Sequence, residues 1–154
     1  VAVVDFDVHH GNGTQDLLWD EPRAFFASTH QMPLYPGTGR ASETGAHGQV
    51  MNAPLRPGSG GAEALAAWTA IAARLAEWRP GLVVISAGFD AHADDPLANL
   101  MWTERDFAAI TRLIRDAARQ VGAPVVSVLE GGYDLAALGR SARAHVETLR
   151  ETPT

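Results

Sequence analysis

Asp5, Asp7 and His9 alternate at the end of an apolar run, and a Gly-rich turn, Gly11-Asn12-Gly13, follows them. Side chains in a strand alternate faces with period two. The spacing therefore puts these three on one face and Phe6, Val8 and His10 on the other. Two carboxylates and an imidazole gathered at a strand end are costly to bury without a cation. A divalent metal is the simplest resolution. The alternative is an Asp–His cluster satisfied by its own hydrogen bonds. Two further polar clusters have the same setting: one runs from Ser86 to Leu97 (SAGFDAHADDPL), the other from Glu130 to Asp134 (EGGYD). Each leaves the end of an apolar run, LVVIS and PVVSVL respectively. Asp7, His9 and Asp90 can then form a three-ligand oxygen and nitrogen site with a position left open for water or substrate. Two carboxylates and a neutral imidazole acidify a bound water less than three histidines do, so such a site needs a general base. Tyr133 follows a Gly-Gly hinge and could turn its hydroxyl toward a polarised carbonyl. Such an oxyanion donor is worth about 3 kcal/mol; the other possibility is an ordinary loop aromatic.

These side chains need elements to carry them. Apolar runs at Val1–Val4, Ala24–Ser28, Leu82–Ser86 and Pro124–Leu129 read as buried strands, with a short one at Gln49–Leu55. A short helix is expected at Thr14–Trp19. Ser59 is placed as the cap of a helix reaching Trp78, with Leu65, Trp68, Ala72 and Leu75 inward. Thr103 and Asp106 form a capping-box-like start for a helix that carries Phe107, Ile110, Leu113, Ile114 and Ala117 inward and closes at Gly122. A last helix spans Asp134 to Arg150, with Leu135, Leu138, Ala142, Val146 and Leu149 inward. Strand and helix alternate, which predicts an α/β fold: a parallel sheet flanked by helices on both faces. In such sheets ligands bind at the carboxyl edge, where all three polar clusters fall. The long irregular stretch His30–Gly48 holds Tyr35 before Pro36-Gly37-Thr38-Gly39, either as a functional loop or as a turn with an incidental aromatic.

The 154 residues suffice for one domain with a core. A net charge of −6 offers no basic surface for nucleic acid, and the absence of cysteine excludes disulfides and thiolate metal sites. No apolar run approaches a membrane span, no signal peptide is visible, and a cytoplasmic protein is expected. A homo-oligomer is compatible with all of this. The chain opens at Val1, inside what reads as a strand, so residues 1–154 are taken as one domain forming the C-terminal portion of a longer catalytic domain.

DFDVHHGNGT, SAGFDAHADDPL and LEGGYDL together resemble the zinc-dependent histone deacetylase superfamily, which includes class II deacetylases, acetoin-utilisation proteins and acetylpolyamine amidohydrolases. The resemblance covers nearly the whole chain. It implies the arginase/deacetylase fold and hydrolysis of an acyl amide, such as acetyl-lysine in a protein or a small acylated amine, to acetate and a free amine. By position, it makes Asp7, His9 and Asp90 the ligands of one zinc ion, and Tyr133 the tyrosine that helps polarise the acetyl carbonyl. It gives Asp5 the task of orienting a catalytic histidine. It also implies a structural potassium site at Asp5, Asp7, His9, Ser28 and Thr29, and more weakly a second at the carbonyls of Leu18, Glu21 and Ala24. Tyr35 falls on the aromatic wall of an acyl-lysine tunnel. Leu97 stands where polyamine-selective relatives can carry a Glu, which favours a substrate without a second ammonium. Asn12 and LEGGYDL favour the class II-like or bacterial branch.

One departure stands out. The family's tandem His pair, its general base and acid, lies upstream of these motifs. His9-His10 is not that pair, and His30, His47, His92 and His145 sit in no matching motif. This chain alone is therefore expected to bind metal poorly and not to turn over substrate. Two rivals compete. Asp90-Ala-His92-Ala-Asp94 has the Asp-x-His-x-Asp spacing of binuclear manganese ureohydrolases of the arginase type. A non-catalytic pseudoenzyme would keep the fold without the chemistry, against which the intact Asp7, His9, Asp90 and Tyr133 speak.

Overall fold

The computed structural model describes residues 1–152. Five strands form one parallel sheet: β1 (Ala2–Asp5), β2 (Phe25–Gln31), β3 (Val50–Leu55), β4 (Val83–Ala87) and β5 (Val125–Leu129). Their order across the sheet is β3-β2-β1-β4-β5, with all pairs parallel. The helices are α1 (Asn12–Leu18), α2 (Gly61–Trp78), α3 (Glu104–Gln120) and α4 (Leu135–Arg150). From β1 the chain first steps outward to β2 and β3, then returns through α2 to β4 and onward to β5. Right-handed crossovers in opposite directions put α1 on one face of the sheet and α2 with α3 on the other. That is the expected doubly flanked parallel sheet. Helix α3 packs between α2 and α4 in a single layer.

The core lies between the sheet and that layer. Phe6 is fully buried and meets the rings of Trp68, Phe89 and Phe107 at centroid separations of 6.2, 5.7 and 5.8 Å. Register places Ala2, Phe25 and Val83 side by side toward it, whereas Asp5, Ser28 and Ser86 share the opposite face.

Several boundaries differ from expectation. Strand β2 runs on through His30 and Gln31, because both find buried partners: the His30 ring bonds Ser28 and the Gly39 carbonyl, and Gln31 accepts from the Asn99 amide. Helix α2 is capped at Gly60 rather than Ser59, with the Glu63 carboxylate accepting the Gly60 amide at 2.9 Å. Helix α1 begins at Asn12, two residues early. The Thr103 cap is as expected, its amide donating to Asp106 at 2.7 Å.

Helix α4 turns a different face inward. Ala137, Ser141, His145 and Thr148 are buried, while Leu135 and Val146 are 79% and 49% exposed. Leu138, Ala142 and Leu149 pack only partly against the core. His145 and the Thr148 carbonyl find partners there, whereas the buried Ser141 hydroxyl has no hydrogen-bond partner among the described residues. The His145 ring spans Thr111 Oγ1 on α3 (2.7 Å) and Ser127 Oγ on β5 (2.8 Å). Arg115 reaches the Thr148 carbonyl at 2.6 Å.

Burial pushes the His145 pKa down to about 4. A histidine whose folded pKa lies below its unfolded value stabilises fully above the unfolded value, and that stability is lost as pH falls toward the folded one. His145→Gln keeps a hydrogen-bonding side chain without the titration. The stability advantage of wild type over this variant is expected to shrink by up to about 3 kcal/mol between pH 6.5 and 4. Denaturant unfolding at both pH values measures it; a pH-independent difference would count against a buried neutral His145.

Candidate metal centre

Strand β1 ends at Asp5, and the backbone bends through Asp7, Val8 and His9 before α1. The face assignment therefore fails at His10. Its ring packs on Phe26 and on His30 (centroids 6.3 and 4.7 Å), which face the same side as Asp5, not the Phe6 side. Phe6 and Val8 do stay buried in the core cluster.

The bend delivers Asp7 and His9 to the end of β4. Asp90 follows β4 directly, and Gly131 follows β5. One ligand atom from each of Asp7, His9 and Asp90 falls within 4.8 Å of the others, the only such group of three or more acidic, His or Cys residues among the described residues. His9 Nδ1 lies 3.1 Å from Asp7 Oδ1 and 3.2 Å from Asp90 Oδ2. Backbone donors fix both carboxylates. Asp7 Oδ1 accepts from the His9 amide (2.8 Å) and Oδ2 from the Gly131 amide (2.9 Å). Asp90 Oδ1 accepts from the Val8 amide at 2.9 Å.

Asp90 Oδ2 is buried and has no hydrogen-bond partner. Burial, then the neighbouring charge of Asp7, raises the Asp90 pKa to about 7. A buried anion with a free lone pair, beside another carboxylate and an imidazole nitrogen, needs a proton or a cation. A glycine lies against the two carboxylates. A Cβ at Gly131 would stand 2.2 Å from Asp90 Oδ2 and 2.6 Å from Asp7 Oδ2. The donor set, two carboxylates and an imidazole, suits zinc and other borderline divalent ions. The residues present fit the metal.

Asp5 sits beside this cradle, not in it. It is buried, accepts the Asp7 amide at 3.0 Å, and lines a 230 Å³ pocket with Asp7, His9, His10, Ser86 and Glu130. Burial and the charge of Asp7 raise its pKa well above the usual carboxylate value. Ser28 lies opposite Asp5 in the register, and its hydroxyl bonds the His30 ring. Thr29 turns its side chain the other way, accepting from Trp68 Nε1, so only its backbone could join a site with Asp5. The Leu18 carbonyl already accepts from Gln49 Nε2 at 2.9 Å and from the Glu21 amide at 3.2 Å.

Tyr35 is exposed, its ring edge-on to His9 with centroids 6.4 Å apart, so the long loop does reach the cradle. Leu97 is half exposed on the loop after β4. Tyr133 is 55% exposed. Its phenol pKa is raised by partial desolvation and then by the charges of Asp90, Asp7 and Asp95.

The remaining histidines lie elsewhere. His92 Nδ1 accepts from the Asp94 amide at 3.0 Å, and its Nε2 is 3.4 Å from Glu104. It therefore stands apart from the Asp7–His9–Asp90 group that the binuclear spacing would require it to join. His47 pairs with Asp20, and His145 is the α3–α4–β5 tie described above. Two features escape the motif reading. Gln15, Glu43 and Asn52 form a network that holds His10, through Gln15 Oε1 bonds to His10 (3.0 Å) and Asn52 (2.6 Å). Asp95 binds the backbone of the Tyr133 turn. Its only signal is its place in the Asp94-Asp95-Pro96 run.

The fold and site together define a parallel α/β domain with two carboxylates and an imidazole gathered at the carboxyl edge of its sheet. The histone deacetylase domain model matches residues 1–149. The chain belongs to the histone deacetylase family. It is 43% identical over 146 residues to histone deacetylase 10, chloroplastic, of Oryza sativa subsp. japonica, covering 92% of this chain and 33% of that protein. It is 40% identical over 155 residues to a histone deacetylase-like amidohydrolase of Pseudomonas aeruginosa, covering 97% and 41%. Among solved structures, an acetylpolyamine aminohydrolase from Burkholderia pseudomallei superposes with a TM-score of 0.88 at 32% identity, covering 96% of this chain and 44% of that one. The chain thus spans about a third to a half of the length of these relatives. No helix among the described residues is long and apolar enough to cross a membrane.

Proposed function

We propose that residues 1–154 supply the metal ligands and the carbonyl-polarising tyrosine of a zinc-dependent deacetylase. Its substrate is the acetyl amide of acetyl-lysine or a similar acylated amine, and it releases acetate. The observation that carries this is the buried, unpartnered Asp90 Oδ2 aimed at the space it shares with Asp7 and His9. Zinc held there would supply a Lewis acid for the amide carbonyl and its attacking water. Asp7, His9 and Asp90 hold the ion, and the Gly131 and Val8 amides keep the carboxylates aimed. Tyr133 donates its hydroxyl to the carbonyl oxygen as negative charge develops there. A phenol kept above its ordinary pKa stays protonated for this role. Tyr35 beside His9, with Leu97, lines the path of the acyl chain.

Asp5 orients a catalytic histidine, and together with Ser28, Thr29 and the backbone at Asp7 and His9 it takes a structural potassium ion. Proton transfer is assigned to the tandem His pair that the family carries upstream of these motifs. This chain alone is therefore expected to be inactive beside the full-length protein. An acetylated polyamine is the second substrate reading, favoured by the Burkholderia neighbour and opposed by the apolar Leu97.

Turnover of an acetyl-lysine peptide and an acetylpolyamine by the zinc-loaded, full-length protein tests the assignment. Tyr133→Phe is expected to lower kcat by about 10²-fold, with zinc affinity unchanged. Absence of amide hydrolysis on both substrates would sink it, and a preference for the polyamine would replace the lysine reading.

A further inference from the structure

We propose that Asp95 is a positioning residue for Tyr133, binding the Tyr133 turn and the Leu97 loop to a single buried carboxylate. This builds on the hydrolase assignment above. Asp95 is buried and lies outside the group of metal ligands. Its Oδ1 accepts from the Leu97 amide at 3.0 Å. Its Oδ2 accepts from the Tyr133 amide at 2.6 Å and the Asp134 amide at 3.3 Å. Hydrogen bonds to an ionised acceptor are about twice as strong as neutral ones.

The turn needs such an anchor. Gly131 and Gly132 precede Tyr133, and Gly132 has φ +142°, a conformation open mainly to glycine. The Tyr133 hydroxyl makes no hydrogen bond among the described residues, and the ring is largely exposed. With no hydrogen bond of its own, the phenol depends on its backbone for placement. That backbone is held from behind by the Gly131 amide on Asp7 and from the front by Asp134, which caps α4 through the Ala137 amide. Between them, at Tyr133 itself, the acceptor is Asp95. Because the same carboxylate holds the Leu97 amide, the tunnel wall and the phenol share one reference point.

Asp95→Asn is isosteric and offers one acceptor oxygen, so one side of the clamp loses its partner; Asp95→Ala removes both sides. In the zinc-loaded full-length protein, Asp95→Ala is expected to lower kcat on an acetyl-lysine peptide by about 10-fold and Asp95→Asn by a smaller factor, with KM within about 2-fold. In a Tyr133→Phe background the same substitutions should cost less than about 2-fold, because the group being positioned is gone. Zinc affinity should not move. Hydrogen exchange reads the clamp independently of activity: in Asp95→Ala the amides of Leu97, Tyr133 and Asp134 should exchange at least about 10-fold faster, and that of Gly131 should not. Equal kcat losses in both backgrounds, or unchanged exchange at these amides, overturn the proposal. A wild-type protein without amide hydrolysis defeats the hydrolase assignment instead, and the exchange comparison still decides whether Asp95 holds the turn.

Discussion

Asp90→Asn is expected to leave the protein folded and unable to hold zinc. The asparagine Oδ1 can keep the Val8 amide bond that Asp90 Oδ1 makes at 2.9 Å. The amide nitrogen then replaces Oδ2, the atom that faces His9 Nδ1 at 3.2 Å and has no hydrogen-bond partner. A donor thus stands where the ion needs an acceptor, and one of two negative charges is gone. Removing one partner of a buried charged group costs about 3–5 kcal/mol, or roughly 10²–10⁴-fold in affinity. Turnover in the full-length protein should fall with it. Stability of the metal-free protein should move the other way. Burial and the charge of Asp7 raise the Asp90 pKa to about 7, so the anion is disfavoured in the fold near neutral pH. Asparagine removes that cost, and metal-free thermal stability at pH 8 should be unchanged or higher. Zinc titration with a competing chelator, paired with thermal melts, separates the two effects. Unchanged zinc affinity would remove Asp90 from the site, and with it the metal-centre assignment.

What could be read from residues alone followed burial of one kind. β1 and β4 are apolar, β-branched and largely buried, so their existence and the polar clusters beyond them were legible. β5 was legible as a strand but not as a buried one: it lies at the sheet edge, and Val126, Val128 and Leu129 are exposed. The same logic found Asp7, His9 and Asp90, whose side chains meet although Asp7 and His9 lie past the last paired residue of β1. It misled wherever polar groups are buried with partners. His30 and Gln31 extend β2 because Ser28, Gly39 and Asn99 satisfy them. Helix α4 turns His145 and Thr148 inward, where Thr111, Ser127 and Arg115 meet the His145 ring and the Thr148 carbonyl, while the leucines that periodicity selects lie to the flank of that stripe. His10 could not be placed by period two, since that rule holds only while the backbone stays extended. Asp95 was invisible for a related reason. Its partners are backbone amides 2 and about 38 residues away, and amides carry no sequence signature.

Gly131→Ala should abolish zinc binding to a similar degree, with the opposite effect on the fold. The added Cβ would lie 2.2 Å from Asp90 Oδ2 and 2.6 Å from Asp7 Oδ2, closer than real carbon contacts allow. Neither the backbone nor the carboxylates can yield cheaply. The Gly131 amide donates to Asp7 at 2.9 Å, and its carbonyl accepts from the Phe89 amide at 2.7 Å. The Asp90 side chain is fully buried and tied to Val8. Overpacking of this kind costs about 1–3 kcal/mol of stability. It also sets a methyl against both carboxylates, so both remain while the space between them closes. Gly13→Ala is the control. It lies in α1 with nothing within 4 Å of the new Cβ, and should keep zinc binding intact while stabilising the helix by up to about 1 kcal/mol. Zinc titration and thermal melts on both variants decide the matter. If Gly131→Ala binds zinc like wild type, the ion does not sit between Asp7 and Asp90, whatever else this sheet edge holds.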